Sequence, residues 1–190
     1  MEQKRDGVML QLISDIAYRP AAGERGVGDL YLPVAAERAP LALSIHGGGW
    51  CCQDKSSFAG VAEFLCGLGF AVFNINYRLL SAGPWPLCGD DCLSAAEFLL
   101  RGDSPELNRV DRSRLLVVGG SAGGHLAACL GVFEDPVETV SSKVNCVVDI
   151  HGVHDFIAAL DPAGNIKEHW EAFLGGPVSA MREAWMQAIS

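Results

Sequence analysis

Long apolar runs are missing from this sequence. A membrane-spanning helix needs about 18 or more consecutive apolar residues, and no run in the 190 residues approaches that length. No apolar segment typical of a secretory signal follows the mixed-charge start, Met1 to Asp6. We therefore expect no membrane partner and a cytoplasmic location.

Positive charge is scarce as well. The 14 Lys and Arg residues are outnumbered by 23 Asp and Glu, which gives a net charge of −9. Such an acidic chain is a poor partner for nucleic acid or anionic membranes. The seven cysteines are odd in number and include no C-x-x-C pair, which is typical of a reducing compartment rather than of a disulfide framework.

Apolar residues make up 49% of the chain, enough for one globular domain over residues 1–190. Strand-like and helix-like segments alternate from residue 41 to 150, which predicts an α/β fold: a mostly parallel sheet with helices on both faces. The predicted segments are an edge strand at 9–18 paired antiparallel with 28–32, strands at 41–45, 70–75, 115–118 and 144–150, and helices at 56–68, 88–100 and 122–132. Residues 155–190 look like two amphipathic helices, 166–173 and 179–189, which form either a cap segment or ordinary packing on the sheet.

A nucleophile elbow is predicted at Ser121. The segment Leu115 to Leu130 gives a strand, a tight glycine turn and a helix, and G-x-S-x-G in that context lifts a serine hydroxyl off the sheet. Gly119 and Gly123 lack the side chains that would collide in so tight a turn. A glycine turn before a helix can also bind phosphate, but the Gly-Lys-Ser/Thr ending of a Walker motif is missing.

A second glycine motif, His46-Gly47-Gly48-Gly49-Trp50, follows an earlier predicted strand. Three consecutive glycines let backbone N–H groups face a ligand without obstruction. Two such N–H groups, together with that of Ala122 after the serine, would form an oxyanion hole beside the elbow. The two motifs together predict nucleophilic catalysis.

HGGGW, NYRL and GGSAGGHLA together resemble the α/β-hydrolase superfamily, and within it the microbial carboxylesterases close to hormone-sensitive lipase and to the feruloyl/acetyl-xylan esterases. The resemblance covers about residues 28–190. It implies that Ser121 is the nucleophile and that the oxyanion donors are Gly48, Gly49 and Ala122. Gly120 stands where the hormone-sensitive lipase group usually has an acidic residue, which favours the feruloyl/acetyl esterase side.

The resemblance also assigns supporting roles. It implies that His46 orients its loop and is not the base, and that Asn76-Tyr77-Arg78 braces the loop. The residues expected to support the site are His46, Gly47, Trp50, Tyr77, Gly119 and Gly123. We further expect Trp50 and the tryptophans of the cap to line the substrate pocket.

The acid and base of a catalytic triad are missing from the pattern. In this superfamily they follow the serine, first Asp or Glu and then His, and the resemblance implies that they lie on last strands that this chain lacks. We therefore expect a truncated domain. The candidates within the chain are His125, His151, His154 and His169, with Asp149, Asp155 or Asp161. The favoured internal alternative is His169 with Asp155; His151-x-x-His154-Asp155 is not expected to bind a metal.

The resulting prediction is a serine hydrolase that cleaves carboxylic esters of small or aromatic acyl groups through an acyl-enzyme on Ser121. No cofactor and no metal are expected, and the partner is a small-molecule ester. The alternatives are an arylformamidase-like amide hydrolase and a non-catalytic ligand-binding protein of the same fold. Because strand 144–150 would have an open edge and an uncovered apolar face, we also expect self-association through it.

Overall fold

The computed structural model describes residues 2–5, 8–101, 104–132, 143–156, 167–177 and 180. Seven strands form one sheet in this part of the chain. The strands are β1 (Glu2–Arg5), β2 (Val8–Ala17), β3 (Val27–Pro33), β4 (Ala39–Ile45), β5 (Ala71–Ile75), β6 (Val110–Gly120) and β7 (Val144–Ile150). The helices are α1 (Ala59–Gly67), α2 (Leu87–Arg101), α3 (Ala122–Val132) and α4 (Lys167–Leu174).

The strand order is β1-β2-β3-β5-β4-β6-β7. The four strands from β5 to β7 run parallel, and β1, β2 and β3 add antiparallel pairings on one side. The predicted parallel sheet and the antiparallel β2–β3 pair are therefore confirmed. The prediction that residues 9–18 form the edge strand is wrong, because β1 pairs outside β2. The charged residues of β1 concealed it, although charge is typical of edge strands, where it discourages pairing with another chain.

Helices cover both faces of the sheet, as the alternation of segments predicts. On one face, Ala62 and Cys66 of α1 pack against Ala42 and Val72. On the opposite face, α2 and α3 contact each other and share a larger buried cluster with the neighbouring side chains of the same strands. Burial on both faces explains why β4 and β5 read as continuous apolar runs.

The predicted α3 and β7 match the observed bounds, whereas β6 begins at Val110, five residues before the predicted start. Residues 111–114, near the start of β6, are polar and partly exposed, so an apolar pattern does not identify them as part of a strand. The predicted helix at 166–173 is observed as α4, and the one at 179–189 lies outside the described residues. Among the helices that the structure describes, none has the length and apolar character needed to span a bilayer.

Strand β7 lies at the end of the sheet order. Val148 is 41% exposed and Ile150 is 39% exposed. These side chains point to the same face, because side chains alternate along a strand. Association through this edge stays a prediction.

Candidate active site

Ser121 occupies the turn between β6 and α3 in a strained backbone conformation. Its φ angle is 53°, in the left-handed region that non-glycine residues seldom adopt; such strain costs on the order of 1–3 kcal/mol. The Ser121 N–H donates to the carbonyl of Ile150 at 2.8 Å, and its own carbonyl accepts from the N–H of His125 at 3.1 Å. Two backbone hydrogen bonds thus hold an exposed serine at the apex.

The glycines on either side of the serine are required by space. A Cβ atom on Gly119 would overlap the carbonyl of Gly123, and one on Gly123 would overlap the carbonyl of Ile45 and lie 2.5 Å from that of His46. Because backbone atoms cannot move aside as a flexible side chain can, any larger residue would push α3 away from β4. Glycine at 123 therefore sets how closely the elbow approaches the loop after β4.

Sheet register brings the two glycine motifs together. Ile45, the last residue of β4, pairs with Gly119 of β6, so the loop that follows Ile45 starts beside the elbow. A Cβ atom on Gly47 would lie 2.8 Å from the carbonyl oxygen of Gly120 and 3.4 Å from the Cβ of Ser121. The loop backbone is thus in contact with the serine.

The three amides predicted as oxyanion donors occupy conformations that leave them free of the regular ladders. Gly48 and Gly49 have positive φ angles, 99° and 57°. Ala122 begins α3, and the first N–H groups of a helix have no partner within it. Among the residues that the structure describes, none accepts a backbone hydrogen bond from the N–H of Gly48, Gly49 or Ala122.

His46 is buried behind this loop. Its Nδ1 lies 2.7 Å from the carbonyl of Gly47, its Nε2 lies 3.2 Å from the guanidinium of Arg25, and its ring stacks on Tyr77 with centroids 4.3 Å apart. Since the guanidinium can only donate, Nε2 accepts and Nδ1–H donates to Gly47. Burial lowers the pKa of His46 to about 4. A neutral histidine with both nitrogens engaged holds the loop and has no free position to act as a base.

Tyr77 and Arg25 complete the support. The Tyr77 hydroxyl lies 3.1 Å from the carbonyls of both His46 and Gly47. Arg25 Nε donates to the Tyr77 carbonyl at 2.8 Å, and its Nη1 donates to the carbonyl of Gln53 at 3.1 Å. Nothing in the sequence predicts this role of Arg25, because residues 19–27 look like a simple Pro/Gly turn before β3.

Arg78, the next residue along, anchors this segment to α2. Its guanidinium contacts both carboxylate oxygens of Asp91, which is fully buried, and its backbone N–H donates to the same group at 2.8 Å. Arg19 adds a second contact to that carboxylate at 3.2 Å. Hydrogen bonds between charged groups, which are stronger than those between neutral groups, therefore hold segment 76–78 against α2.

The prediction that Trp50 lines the substrate pocket is wrong. Its side chain is 1% exposed and stacks on Phe173 of α4 with ring centroids 4.1 Å apart. Four further rings pack around it, those of His125, Phe156, His169 and Trp170, and Trp85 contacts His125 and Phe173 of the same cluster. A large aromatic side chain stabilises the fold most when it is fully buried. Here the Trp50 ring packs α4 against the end of the glycine loop.

The histidines considered as bases lie in different surroundings. His125 is buried among the aromatic rings, with Nε2 3.5 Å from the Sγ of Cys129. His169 of α4 is half-buried beside the loop: a Cβ atom on Gly49 would lie 3.1 Å from its Nε2. His154 bonds through Nε2 to the carboxylate of Asp149 across the turn after β7. The pairing of Asp149 with His154 was missed, because the sequence offered both residues without indicating that they meet.

A parallel sheet with helices on both faces, a serine on a tight strand-to-helix turn and a glycine loop against it together define the α/β-hydrolase fold. The backbone superposes on the crystal structure of an inhibited esterase B from Lactobacillus rhamnosis, with a TM-score of 0.72 and 21% identity, over 98% of this chain and 64% of that one. The chain belongs to the BD-FAE family, whose model matches residues 28–190.

Two curated relatives extend the comparison. The chain is 33% identical to the arylacetamide deacetylase of Bos taurus over 109 residues, 55% of this chain and 27% of that protein. It is also 33% identical to the non-reducing polyketide synthase Preu6 of Preussia isomera over 127 residues, 63% of this chain and 6% of that protein. The chain thus spans less than a third of each of these two relatives.

Proposed function

We propose that this chain carries the nucleophile and the oxyanion hole of a serine hydrolase that cleaves carboxylic esters. The observation that supports this most is the exposed Ser121 at φ 53° with the Gly47 backbone against its Cβ. Strain of this kind clusters at catalytic sites. The similarity to esterase B, as that protein is named, favours ester cleavage over other reactions of the fold.

In the proposed reaction the Ser121 oxygen attacks the ester carbonyl carbon, and its proton passes to a general base. The carbonyl electrons move to oxygen, and the amides of Gly48, Gly49 and Ala122 donate to the resulting oxyanion. Each such donor is worth about 3–4 kcal/mol in the transition state, and the positive end of α3 adds to the field. The alcohol then leaves with a proton, and water releases the acyl group from Ser121.

The base is proposed to lie outside the described residues. His46 and His125 are buried; His46 has both nitrogens engaged, and His125 packs against the rings around Trp50. His154 is engaged by Asp149, and His169 faces the glycine loop. A base must reach the serine hydroxyl within about 2.6–3.2 Å or through one water, and no described contact joins His151, His154 or His169 to Ser121.

The acyl group is proposed to be small or aromatic, in keeping with Gly120 before the serine. Amide hydrolysis is the second candidate, because the arylacetamide deacetylase named above implies by its name an amide substrate. Both reactions pass through the same tetrahedral oxyanion, so the same donors serve either. The leaving group alone separates them.

A fluorophosphonate probe tests the proposal, because it labels a serine that is both nucleophilic and set in an oxyanion hole. We expect an adduct on Ser121 that is absent from Ser121→Ala and kept in Ser113→Ala, a matched substitution of an exposed serine on β6. His154→Ala and His169→Ala should keep labelling; loss in either would reassign the base. A folded protein that takes no label at Ser121 would instead support a ligand-binding role without turnover.

A further inference from the structure

Two adjacent cysteines follow the glycine loop, and both are exposed. The thiols of Cys51 and Cys52 point at one atom, the carbonyl oxygen of Gly48, at 3.4 and 3.1 Å. Their backbone N–H groups bond to the same oxygen, each at 3.1 Å. A single carbonyl thus accepts from four groups, although it has two lone pairs, and it belongs to a proposed oxyanion donor.

The other cysteines are placed differently. Cys66, Cys88, Cys92 and Cys129 are buried, and burial raises the pKa of Cys66 to about 11 and that of Cys129 to about 12. A buried thiol of raised pKa is inert, since the thiolate is the reactive form. Partial desolvation and the neighbouring Cys52 raise the pKa of Cys51 too, so exposure to solvent is what separates Cys51 and Cys52 from the buried thiols. Cys146 is exposed, but it lies on β7 with no second cysteine next to it in the sequence. The described thiols that are both exposed and adjacent are therefore Cys51 and Cys52.

We propose that Cys51 and Cys52 form a modification site, a vicinal dithiol that hydrogen peroxide converts reversibly to a disulfide. One thiolate attacks the peroxide, the O–O bond breaks, and a sulfenic acid and hydroxide form. The neighbouring sulfur then attacks the sulfenic sulfur and expels hydroxide. Each hydroxide takes up one thiol proton, so two thiols and one peroxide give one disulfide and two waters.

The product is strained and therefore easily reduced. Adjacent Cα atoms are about 3.8 Å apart across a trans peptide and about 2.9 Å across a cis one. Disulfides usually join Cα atoms about 4.4–6.8 Å apart. Strained, exposed disulfides have the higher reduction potentials typical of regulatory bonds, so cellular thiols would restore the dithiol.

Oxidation also changes the proposed oxyanion loop, an effect that rests on the proposed function. The Gly48 carbonyl loses both S–H donors, and the ring twists the Cys51–Cys52 peptide, whose N–H is one of the two backbone donors to that carbonyl. Only Trp50 separates Gly49 from Cys51, and Gly48, Gly49 and Trp50 all have positive φ angles. Because loss of one oxyanion donor costs about 10²–10³ in rate, a small displacement of this loop lowers Ser121 reactivity.

Mass spectrometry of the full chain tests the chemistry without reference to activity. The protein carries Cys146→Ser, which removes the other exposed thiol of the described residues, and is treated with peroxide at low protein concentration and digested with trypsin. Residues 39–55 form one tryptic peptide in which Cys51 and Cys52 are the sole cysteines. We expect this peptide to lose two hydrogens and to regain them with dithiothreitol, but not in Cys51→Ser or Cys52→Ser. A peptide that stays reduced, or that gains oxygen on one cysteine without forming the ring, overturns the proposal.

Labelling of Ser121 by a fluorophosphonate tests the effect on the loop. We expect the rate to fall at least about tenfold on oxidation, to recover with dithiothreitol, and to resist peroxide in Cys51→Ser, because the serine keeps a donor to Gly48 but cannot form the ring. An unchanged rate in the oxidised protein refutes control of the loop. A reduced protein that does not label refutes the proposed function and leaves the peptide result standing.

Discussion

Gly123→Ala should uncouple the nucleophile from the oxyanion loop by adding one methyl group. The new Cβ would overlap the carbonyl of Ile45 and lie 2.5 Å from that of His46, whereas ordinary van der Waals contact begins near 3.4 Å. Because the contact with the Ile45 carbonyl is the shorter of the two, the backbone must separate by more than about 0.9 Å between α3 and the end of β4. Overpacking of this kind costs about 1–3 kcal/mol, and each kcal/mol lowers the melting temperature by about 2–4 °C in a chain of this size.

The same shift should also reduce the reactivity of Ser121. A misplacement of about 1 Å in a catalytic constellation costs about 10²-fold in rate, so we expect Gly123→Ala to slow fluorophosphonate labelling of Ser121 by that order at a temperature where the variant remains folded. Circular dichroism melts and timed labelling measure the two effects.

Gly60→Ala is the matched control. Gly60 lies in α1, and a Cβ atom there would meet nothing within 4 Å. Alanine exceeds glycine in helix propensity by about 1 kcal/mol in a helix interior. Because Gly60 is the second residue of α1, this variant should melt at most about 2–4 °C higher and label at the wild-type rate. Equal stability and labelling in Gly123→Ala and wild type would refute the steric argument for the elbow.

Two further predictions concern the supporting structure. The folded-state pKa of His46, about 4, is below its ordinary 6.5, so the unfolded chain binds more protons between these values, and stability is lost as pH falls from about 6.5 to 4, by up to about 3 kcal/mol. Urea unfolding at both pH values should show a smaller loss in His46→Gln, which does not titrate, and equal losses would contradict this account. Solution scattering should show self-association that Val148→Lys reduces, since Val148 is 41% exposed on β7; a monomeric wild-type protein would count against the open edge.

Much of the fold was predictable where buried positions require apolar residues or glycine, because these leave a visible pattern in the sequence. α3 and β7 were predicted with their observed bounds, because the glycine turn fixes the start of α3 and an apolar run fixes β7. The contact between the two glycine motifs was predictable too, since parallel strands end at the same edge of a sheet.

What escaped prediction depends on contacts between distant residues. The role of Trp50 changed because α4, more than a hundred residues later, supplies Phe173 to stack on it. Arg25 acts through a guanidinium that reaches His46 and Tyr77, and nothing in residues 19–27 reveals that reach. Strand β1 was hidden because its charge pattern suits an edge and carries no apolar signal.

The hydrogen bond from the Ser121 amide to Ile150 has a consequence for redesign. That N–H is already committed to β7, so the nucleophile cannot contribute its own amide to a bound anion. In the proposed reaction the donors to the oxyanion therefore come from two other backbone segments, Gly48–Gly49 and Ala122. Directed evolution of this scaffold should therefore concentrate its useful changes around the loop after β4 and spare the strand that anchors the serine.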